Sequence, residues 1–152
     1  MLEAVLLEQV EDYIGPFDLD IDGFDESWWT PPVGRVGSSH HDWLSFILDG
    51  REVARAEIDY EAQLGGDYQG PPLPRRIIDI DFLEVRSDRR GEGIGKQAVE
   101  LIKARYPGKV ITAFSEEADE FWAAVGWRRY PRTDGSTHHR PLFVWDARQQ
   151  QL

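Results

Sequence analysis

The stretch RRGEGIGKQAVELIKARYPG, residues 89–108, decides the fold, because a glycine-rich turn with arginines at its start runs directly into an amphipathic helix. Its glycines allow close approach of the backbone to a ligand and positive φ angles. The free N–H groups of the first helical turn then face an anion. Three basic side chains supply counter-charge: Arg89, Arg90 and Lys96. The segment therefore predicts a phosphate site on a docked helix that ends near Pro107 and Gly108.

Two common phosphate motifs do not fit this turn. The Walker A pattern requires glycine and Ser or Thr where this chain has Arg90 and Gln97. The dinucleotide fingerprint requires a sixth-position glycine where Lys96 stands. What remains is Arg90, Gly93 and Gly95 after the strand-like run IIDIDFLEV. This pattern resembles the acyl-coenzyme A pyrophosphate loop of the GCN5-related N-acetyltransferase (GNAT) family.

A second group of residues extends the resemblance, so that it covers residues 76–130. Family members often carry Asn, Ala, an apolar residue, Tyr, Gly and Phe where this chain has Ser115, Ala118, Phe121, Trp122, Gly126 and Trp127. The resemblance implies an α+β fold with three α/β/α layers, a mixed twisted sheet and the glycine-rich loop before the central helix. It implies a single domain over residues 1–152, with 1–75 as the acceptor half and 76–152 as the coenzyme A half.

Composition and charge limit the classes of function that this protein can have. The 152 residues suit one domain, and neither a secretory signal nor a run of about twenty apolar residues is present. We therefore expect a cytoplasmic protein without membrane contact, as a monomer or homodimer. The net charge is −11, with nine acidic and no basic residues before Arg35. Such a surface disfavours nucleic acid and favours a cationic acceptor. The absence of cysteine excludes thiol catalysis and zinc-thiolate sites.

The remaining pattern predicts a strand or helix start at 2–7, an irregular segment at 11–42, and a hairpin of strands 43–48 and 52–60 around Asp49-Gly50. A loop at 61–74 follows. Strand 77–85 alternates, which places Ile78, Ile80 and Phe82 on one face and Asp79 and Asp81 on the other. We then expect a strand at 109–114, a helix from an N-cap at Ser115 to Gly126, and paired strands at 127–130 and 141–145.

The resemblance implies an N-acetyltransferase that uses acetyl-coenzyme A as co-substrate and no metal. The acceptor is a primary amine of a cationic small molecule, a peptide or a protein. Strands 77–85 and 109–114 are expected to splay around the thioester, with a backbone N–H near Val85 polarising its carbonyl. The implied cofactor-binding residues are Leu83, Glu84, Val85, Arg90, Gly91, Glu92, Gly93, Ile94, Gly95, Lys96, Ser115 and Trp122.

An ammonium acceptor must lose a proton before it attacks, so a base is required. Asp79 is the first candidate because some family members carry a glutamate at this position, and Asp81 shares its face. Trp122 stands where many members use a tyrosine to protonate the thiolate, and indole is not an acid for this purpose. Ser115, Tyr130 or water then remains as the acid, and the alternative is a non-catalytic acyl-coenzyme A-binding regulator.

Two further patterns are weaker. Asp18, Asp20, Asp22 and Gly23 match early positions of a calcium loop, which keeps a calcium-binding interaction module open, but Trp29 replaces the bidentate Glu at position twelve. The pairs His40-His41 and His138-His139 are expected in loops with side chains pointing apart. One of them is a further candidate base.

Overall fold

A seven-stranded mixed sheet forms the framework. The computed structural model describes residues 1–8, 15–29, 40–136 and 139–151. The strands are β1 (Glu3–Leu7), β2 (His41–Leu48), β3 (Arg51–Ala62), β4 (Ile77–Val85), β5 (Val110–Phe114), β6 (Arg128–Tyr130) and β7 (Leu142–Asp146). The helices are α1 (Glu26–Trp29), α2 (Ile94–Arg105) and α3 (Asp119–Ala124), with 3₁₀ turns at Ser87–Arg89 and Ala147–Gln151.

The strand order is β1-β2-β3-β4-β5-β7-β6, and only the β4–β5 pair is parallel. Asp49 and Gly50 form the predicted two-residue hairpin between β2 and β3, and both have positive φ angles, 52° and 77°. This backbone matches the twist of the flanking strands. Helix α2 forms the crossover connection between the parallel strands β4 and β5.

The two faces of the sheet differ in what covers them. On one side, which we call the helix face, Ile94, Ala98, Val99 and Ile102 of α2 pack with Trp122 of α3 over apolar residues of the central strands. On the opposite side, the second face, Phe17 and Trp29 of segment 15–29 pack against Trp43 and Phe82. A smaller apolar cluster around Ile77, Tyr130 and Leu142 lies at the other end of the second face.

A β-bulge at Asp81 changes the predicted alternation in β4. Ile58 of β3 lies opposite Ile80, whereas the preceding Glu57 lies opposite Phe82, so Asp81 is an extra residue without a direct partner. Ile78 and Ile80 pack on the helix face, but Phe82 contacts the aromatic cluster of the second face. The expectation that Phe82 shares the face of Ile78 and Ile80 is therefore wrong, because the extra residue reverses the alternation.

The bulge lies where β4 and β5 separate. Their pairing covers Ile78–Ile80 and Ile111–Ala113 only, although β4 continues to Val85 and β5 to Phe114. A bulge bends its strand and increases the local twist, which accounts for the separation. Among the described residues, no helix is long and apolar enough to cross a membrane.

Two element boundaries differ from the sequence expectation. Helix α3 begins at Asp119 rather than directly after Ser115, because Glu117 adopts a left-handed φ of 54° that interrupts the turn. Ser115 still supports the start of the helix, since its Oγ accepts the Ala118 N–H at 3.0 Å. The segment 2–7 is a strand, and β2 begins at His41, inside the segment expected to be irregular.

Candidate functional site

The gap between the diverging ends of β4 and β5 opens into a cleft of about 1040 Å³. Its walls are β4 from Ile80 to Val85, the glycine-rich loop, the first turn of α2, and α3. Ten of the predicted cofactor-binding residues line it: Leu83, Glu84, Val85, Arg90, Gly91, Gly93, Ile94, Gly95, Lys96 and Trp122. Glu92 and Ser115 are not among the lining residues; Glu92 instead pairs with Arg89 at 3.0 Å. The motif residues therefore converge on one cavity.

The edge of β4 that faces the cleft carries backbone groups without a β5 partner. Arg86 donates its N–H to the Val53 carbonyl at 2.8 Å, on the β3 side. Because successive residues of a strand point their N–H groups to opposite edges, the N–H groups of Leu83 and Val85 point toward the cleft. The Val85 carbonyl also faces this side, where it accepts a hydrogen bond from Nε of Arg90 at 3.3 Å.

The glycine-rich loop leaves space in front of its backbone. Gly91 and Gly93 have φ angles of 81° and 79°, and a Cβ built on either meets no atom within 4 Å. Gly93 is the N-cap of α2, whose first N–H groups lack intrahelical partners. Gly95 has a different role, since a Cβ there would lie 2.8 Å from the Phe121 ring. The first two glycines thus leave room for a ligand, and the third allows α2 to pack against α3.

Glu84 connects the cleft to segment 15–29, a role that strand alternation does not indicate. Its side chain is buried and accepts the Asp25 N–H at 3.0 Å and the Trp29 indole N–H at 2.7 Å. Arg90 approaches the same carboxylate at 3.7 Å. This carboxylate therefore positions Arg90 of the glycine-rich loop and closes the second face beside the cleft.

The two carboxyl groups proposed as base occupy different positions. Asp81 lines the cleft at the point of divergence, whereas Asp79 is not among the lining residues. Oδ1 of Asp79 accepts a hydrogen bond from Thr112 at 2.6 Å. Burial raises the pKa of Asp79 well above its usual value, and the neighbouring Asp81 raises it further. Asp79 therefore retains a proton beside Asp81 over a wider pH range than an exposed carboxyl does.

Among the described residues, none with a phenol or an aliphatic hydroxyl lines the cleft. Tyr130 is buried in the cluster around Ile77 and donates its hydroxyl to the Pro71 carbonyl at 3.1 Å, and it is not among the lining residues. Ser115 is buried and lines an adjacent depression near Arg140 instead. Trp122 lines the cleft with its ring packed 4.7 Å from that of Trp127. No Ser, Thr, Tyr, Cys or His occurs among the described lining residues.

The structure places the histidines differently from what the sequence predicted. His41 lies in β2 rather than in a loop, and the rings of His40 and His41 are 4.7 Å apart instead of pointing apart, because His40 lies in a turn before the strand. His41 contacts Asp81 at 3.2 Å. His138 lies outside the described residues, and His139 lines the depression beside Ser115. A polar residue at the start of β2 is a weak sequence signal, so its contact with β4 was not predictable.

The calcium-loop residues adopt a local turn. Oδ1 of Asp18 accepts the Asp20 N–H at 2.9 Å, and the Asp18 carbonyl accepts from Arg55 at 2.7 Å. The described groups whose ligand atoms converge within 4.8 Å do not include Asp18, Asp20 or Asp22; they are His40, His41 and Asp59, and His41, Glu57 and Asp81. The flanks of this segment also differ from a calcium-binding hand, because only the four-residue α1 follows it.

Comparison with known proteins identifies the fold. No family model matches the chain. No curated protein matches it. Solved structures do: a mutant of KacT aligns over 99% of both chains at 11% identity and TM-score 0.67, and AtaT complexed with acetyl-methionyl-tRNAfMet aligns over 99% of this chain and 98% of that one at 12% identity and TM-score 0.65.

A third similar structure is the Bacillus subtilis N-acetyltransferase YlbP in complex with coenzyme A, at 18% identity and TM-score 0.52. That match covers 68% of this chain and 66% of YlbP. The description of another match assigns it to the GNAT family. The chain therefore has the GNAT acetyltransferase fold, and the fold class expected from the glycine-rich loop is confirmed. The KacT and AtaT matches include β1 and the C-terminal strands, since they span nearly the whole chain.

Proposed function

We propose that this protein is an acetyl-coenzyme A-dependent N-acetyltransferase acting on a cationic primary amine. The separation of β4 from β5 beside the glycine-rich loop is the observation that supports this function most directly. The cleft supplies backbone donors at its base and a loop with free amides at its mouth, in the order in which a thioester and a pyrophosphate occur along coenzyme A. A coenzyme A complex of a protein with this fold supports the same ligand.

In this proposal the N–H groups of Leu83 and Val85 stabilise the negative charge that develops on the thioester oxygen. The amides of Gly91 to Gly95 hold the pyrophosphate at the start of α2, with Arg90 and Lys96 as counter-charges. The amine enters from the second face, where Asp81 lines the gap. Asp81 accepts the ammonium proton, and the free amine then attacks the carbonyl carbon with coenzyme A thiolate as leaving group.

The acceptor is proposed to be cationic because carboxyl groups crowd the second face beside the gap. Glu57, Asp59, Asp79 and Asp81 lie on adjacent strands there, with Glu57 buried. A polyanion would be repelled by this surface, so nucleic acid remains an unexpected partner. Two similar structures are nevertheless described as complexes with DNA and with an acetylated aminoacyl-tRNA, which makes nucleic acid substrates a necessary part of any test.

The experiment is a panel assay that detects free coenzyme A thiol. Polyamines, aminoglycosides, lysine-containing peptides, neutral amines and an aminoacyl-tRNA are each offered with acetyl-coenzyme A, and cofactor binding is measured separately by calorimetry. We expect binding in the micromolar range and turnover that is fastest with polycationic amines and weaker at high salt. Preference for neutral or anionic acceptors, or for the aminoacyl-tRNA, would contradict the proposed acceptor class.

A non-catalytic acyl-coenzyme A-binding regulator is the second candidate. It is favoured by one observation, the absence of a phenol, hydroxyl, thiol or imidazole among the described residues that line the cleft, where Trp122 stands at the position of the tyrosine of many family members. Tight acetyl-coenzyme A binding together with no thiol release for any acceptor would select the regulator over the enzyme.

A further inference from the structure

His41 is a buried titratable group that the proposed acetyl transfer does not yet use. Its side chain is only 8% exposed and lies on the second face, beside the indole of Trp43 at a ring separation of 6.3 Å. Its Nε2 lies 3.2 Å from Oδ2 of Asp81 and 3.9 Å from Oδ2 of Asp59. His41 therefore connects the carboxylate at the cleft with a carboxylate on the neighbouring strand.

The sheet register places these groups in one row. His41 of β2 lies opposite Asp59 of β3, Asp59 lies opposite Asp79 of β4, and Asp79 lies opposite Thr112 of β5. Directly opposite residues share one face of the sheet, so the row crosses the second face from β5 to β2. The bulge adds Asp81 to this row at the position where the cleft opens.

His40 extends the row to solvent. Its Nδ1 lies 3.0 Å from Oδ1 of Asp59, and its side chain is 41% exposed. The exposed fraction of the side chain is 19% for Asp59 and 8% for His41, and it rises again to 23% for Asp81 at the cleft. Titratable groups thus follow one another from the cleft to the surface at separations no longer than 3.9 Å.

The charges around His41 favour its protonated form. Burial alone lowers the pKa of an imidazole, but the hydrogen bond to Asp81 and the charges of Asp81, Glu57 and Asp59 outweigh burial and leave the pKa of His41 raised. Asp79 and His40 are the other titratable groups of the row, and Trp43 donates its indole N–H to Glu57 at 2.9 Å.

We infer that Asp81, His41, Asp59 and His40 form a proton relay that carries the acceptor's proton from the cleft to water. This inference rests on the proposed acetyltransferase function. The ammonium gives its proton to Asp81. His41, protonated on both ring nitrogens, gives its Nε2 hydrogen to Oδ2 of Asp59, and the Nε2 lone pair that this step frees then takes the proton from Asp81. Rotation of the Asp59 carboxyl brings this proton to Nδ1 of His40, which releases the same proton to water. Every group returns to its starting state, and one proton leaves the site for each amine acetylated.

The relay has a physical purpose in this site. Asp81 lies beside Asp79, whose pKa is raised, and its side chain is only 23% exposed, so a bound acceptor and cofactor would cover it and the relay gives its proton a path that does not cross the occupied cleft. The 3.9 Å step between His41 and Asp59 is the longest, and it must shorten during transfer. Looser contacts of this kind are common before substrate binds. His41 acts through Asp81 and is therefore a positioning and relay residue.

The test is a pH profile of kcat, measured from neutral pH to above the pKa of the best panel amine. For His41→Asn we expect about a tenfold or greater loss at neutral pH, a part of the factor of about 10²–10⁴ that positioned proton transfer supplies. The loss should nearly vanish where the amine arrives deprotonated, and acetyl-coenzyme A affinity should not change. A purely structural defect would persist at high pH and would overturn the relay.

Two further variants keep the test decisive if His41→Asn does not fold. His40→Gln changes an exposed side chain and should reduce turnover by a smaller factor that imidazole buffer restores, because a mobile base then replaces the exit group. His139→Gln, on a histidine outside the row, is the matched control and should behave as wild type. Wild-type rates in both the His41 and His40 variants would refute the relay while leaving the proposed function intact.

The same experiment separates the relay from two other outcomes. A wild type that binds acetyl-coenzyme A but acetylates no amine contradicts the proposed function and the relay together. A wild type that binds one equivalent of Zn²⁺ through His41 and loses activity with a chelator would show that the convergent histidine and carboxylates hold a cation. That result would overturn the relay but not the acetyltransferase assignment.

Discussion

The glycine-rich loop and the polar row of the second face, formed by His41, Asp59, Asp79 and Thr112, are built in opposite ways. The loop is one continuous segment whose positive φ angles and free amides follow from local sequence. The row takes one residue from each of four strands and depends on their register. For the proposed enzyme, the comparison indicates that cofactor binding depends on a short motif, whereas the chemistry on the acceptor depends on tertiary structure.

The largest expected effect is the loss of the base at the acceptor side. Asp81→Asn keeps the shape of the side chain but removes its basicity, so kcat should fall about 100-fold or more at neutral pH. Acetyl-coenzyme A affinity should not change, because the cofactor contacts lie in the loop. Steady-state kinetics and calorimetry on the same preparation measure both quantities. If Asp79→Asn causes the loss and Asp81→Asn does not, Asp79 is the base.

In the glycine-rich loop we expect the opposite result: a substitution should weaken acetyl-coenzyme A binding and leave kcat unchanged at saturating cofactor. Gly93→Asp and Gly93→Asn both accept the left-handed φ of this position better than most residues do. Aspartate adds a negative charge beside the pyrophosphate, and a unit charge about 4 Å away contributes about 1–4 kcal/mol. We therefore expect acetyl-coenzyme A affinity to fall at least about fivefold more for Asp than for Asn. Saturating cofactor should restore kcat in both variants.

Gly108 provides the matched control for that comparison. It also has a positive φ, 72°, and a Cβ there meets no atom within 4 Å, but it lies beyond the C-terminus of α2. Gly108→Asp should therefore leave cofactor affinity unchanged. Equal losses of affinity in the Gly93 and Gly108 variants would mean that backbone strain, not the phosphate site, explains the result.

The difference between the regions also explains what the sequence predicts. The limits of β4, the hairpin at Asp49-Gly50 and helix α2 follow from alternation, turn residues and helical spacing, and all three are confirmed. The bulge at Asp81 is not visible in the pattern IIDIDFLEV, since an uninterrupted alternation fits it equally well. Its effect on Phe82 appears only when β3 is paired with β4.

The same reason separates the predicted from the missed site residues. The loop residues and Val85 could be proposed from the resemblance that the loop motif carries, whereas the contacts of His41 and Glu57 are made between strands. Glu84 was proposed as a cofactor-binding residue, and its side chain accepts hydrogen bonds from Asp25 and Trp29, far away in sequence. Tyr130 was proposed from its residue type, and the structure instead directs its hydroxyl to Pro71. Chemistry alone does not determine which face a residue occupies.

A smaller effect, on the free energy of unfolding, is expected from the raised pKa of Asp79. Burial, followed by Asp81, raises the pKa of Asp79, so the folded protein retains a proton that the unfolded chain releases near about pH 4. This stabilisation is complete below that pH and is lost as pH rises toward the folded pKa, by up to about 1.4 kcal/mol per pH unit. Asp79→Asn should thus become more stable than wild type between about pH 4 and about pH 7.

Urea unfolding at about pH 4 and about pH 7 measures the difference in the free energy of unfolding between Asp79→Asn and wild type. Asp134→Asn is a control of opposite sign, because Arg132 lowers the pKa of this exposed carboxyl to about 2. Its small contribution is present at neutral pH and disappears as pH falls toward that value. An Asp79→Asn variant that is equally or less stable than wild type at neutral pH would mean that folding does not raise the pKa of Asp79.

The smallest effect on kcat is expected at Trp122, which lines the cleft between the glycine-rich loop and the acceptor side. Trp122→Tyr introduces the phenol that many relatives carry, but a thiol with a pKa of about 8.5 needs little protonation to leave near neutral pH. We therefore expect kcat to change less than about threefold, far below the factor of about 100 that a needed acid would supply. Stability should fall, since Trp122 is buried between Phe121 and Trp127. An increase in kcat of about 100-fold, with a large solvent isotope effect in the wild type, would instead show that thiolate protonation limits turnover. The distinction between a cofactor region and a chemical region would then be wrong at this residue, because one wall of the cofactor cleft would also control the rate of the reaction.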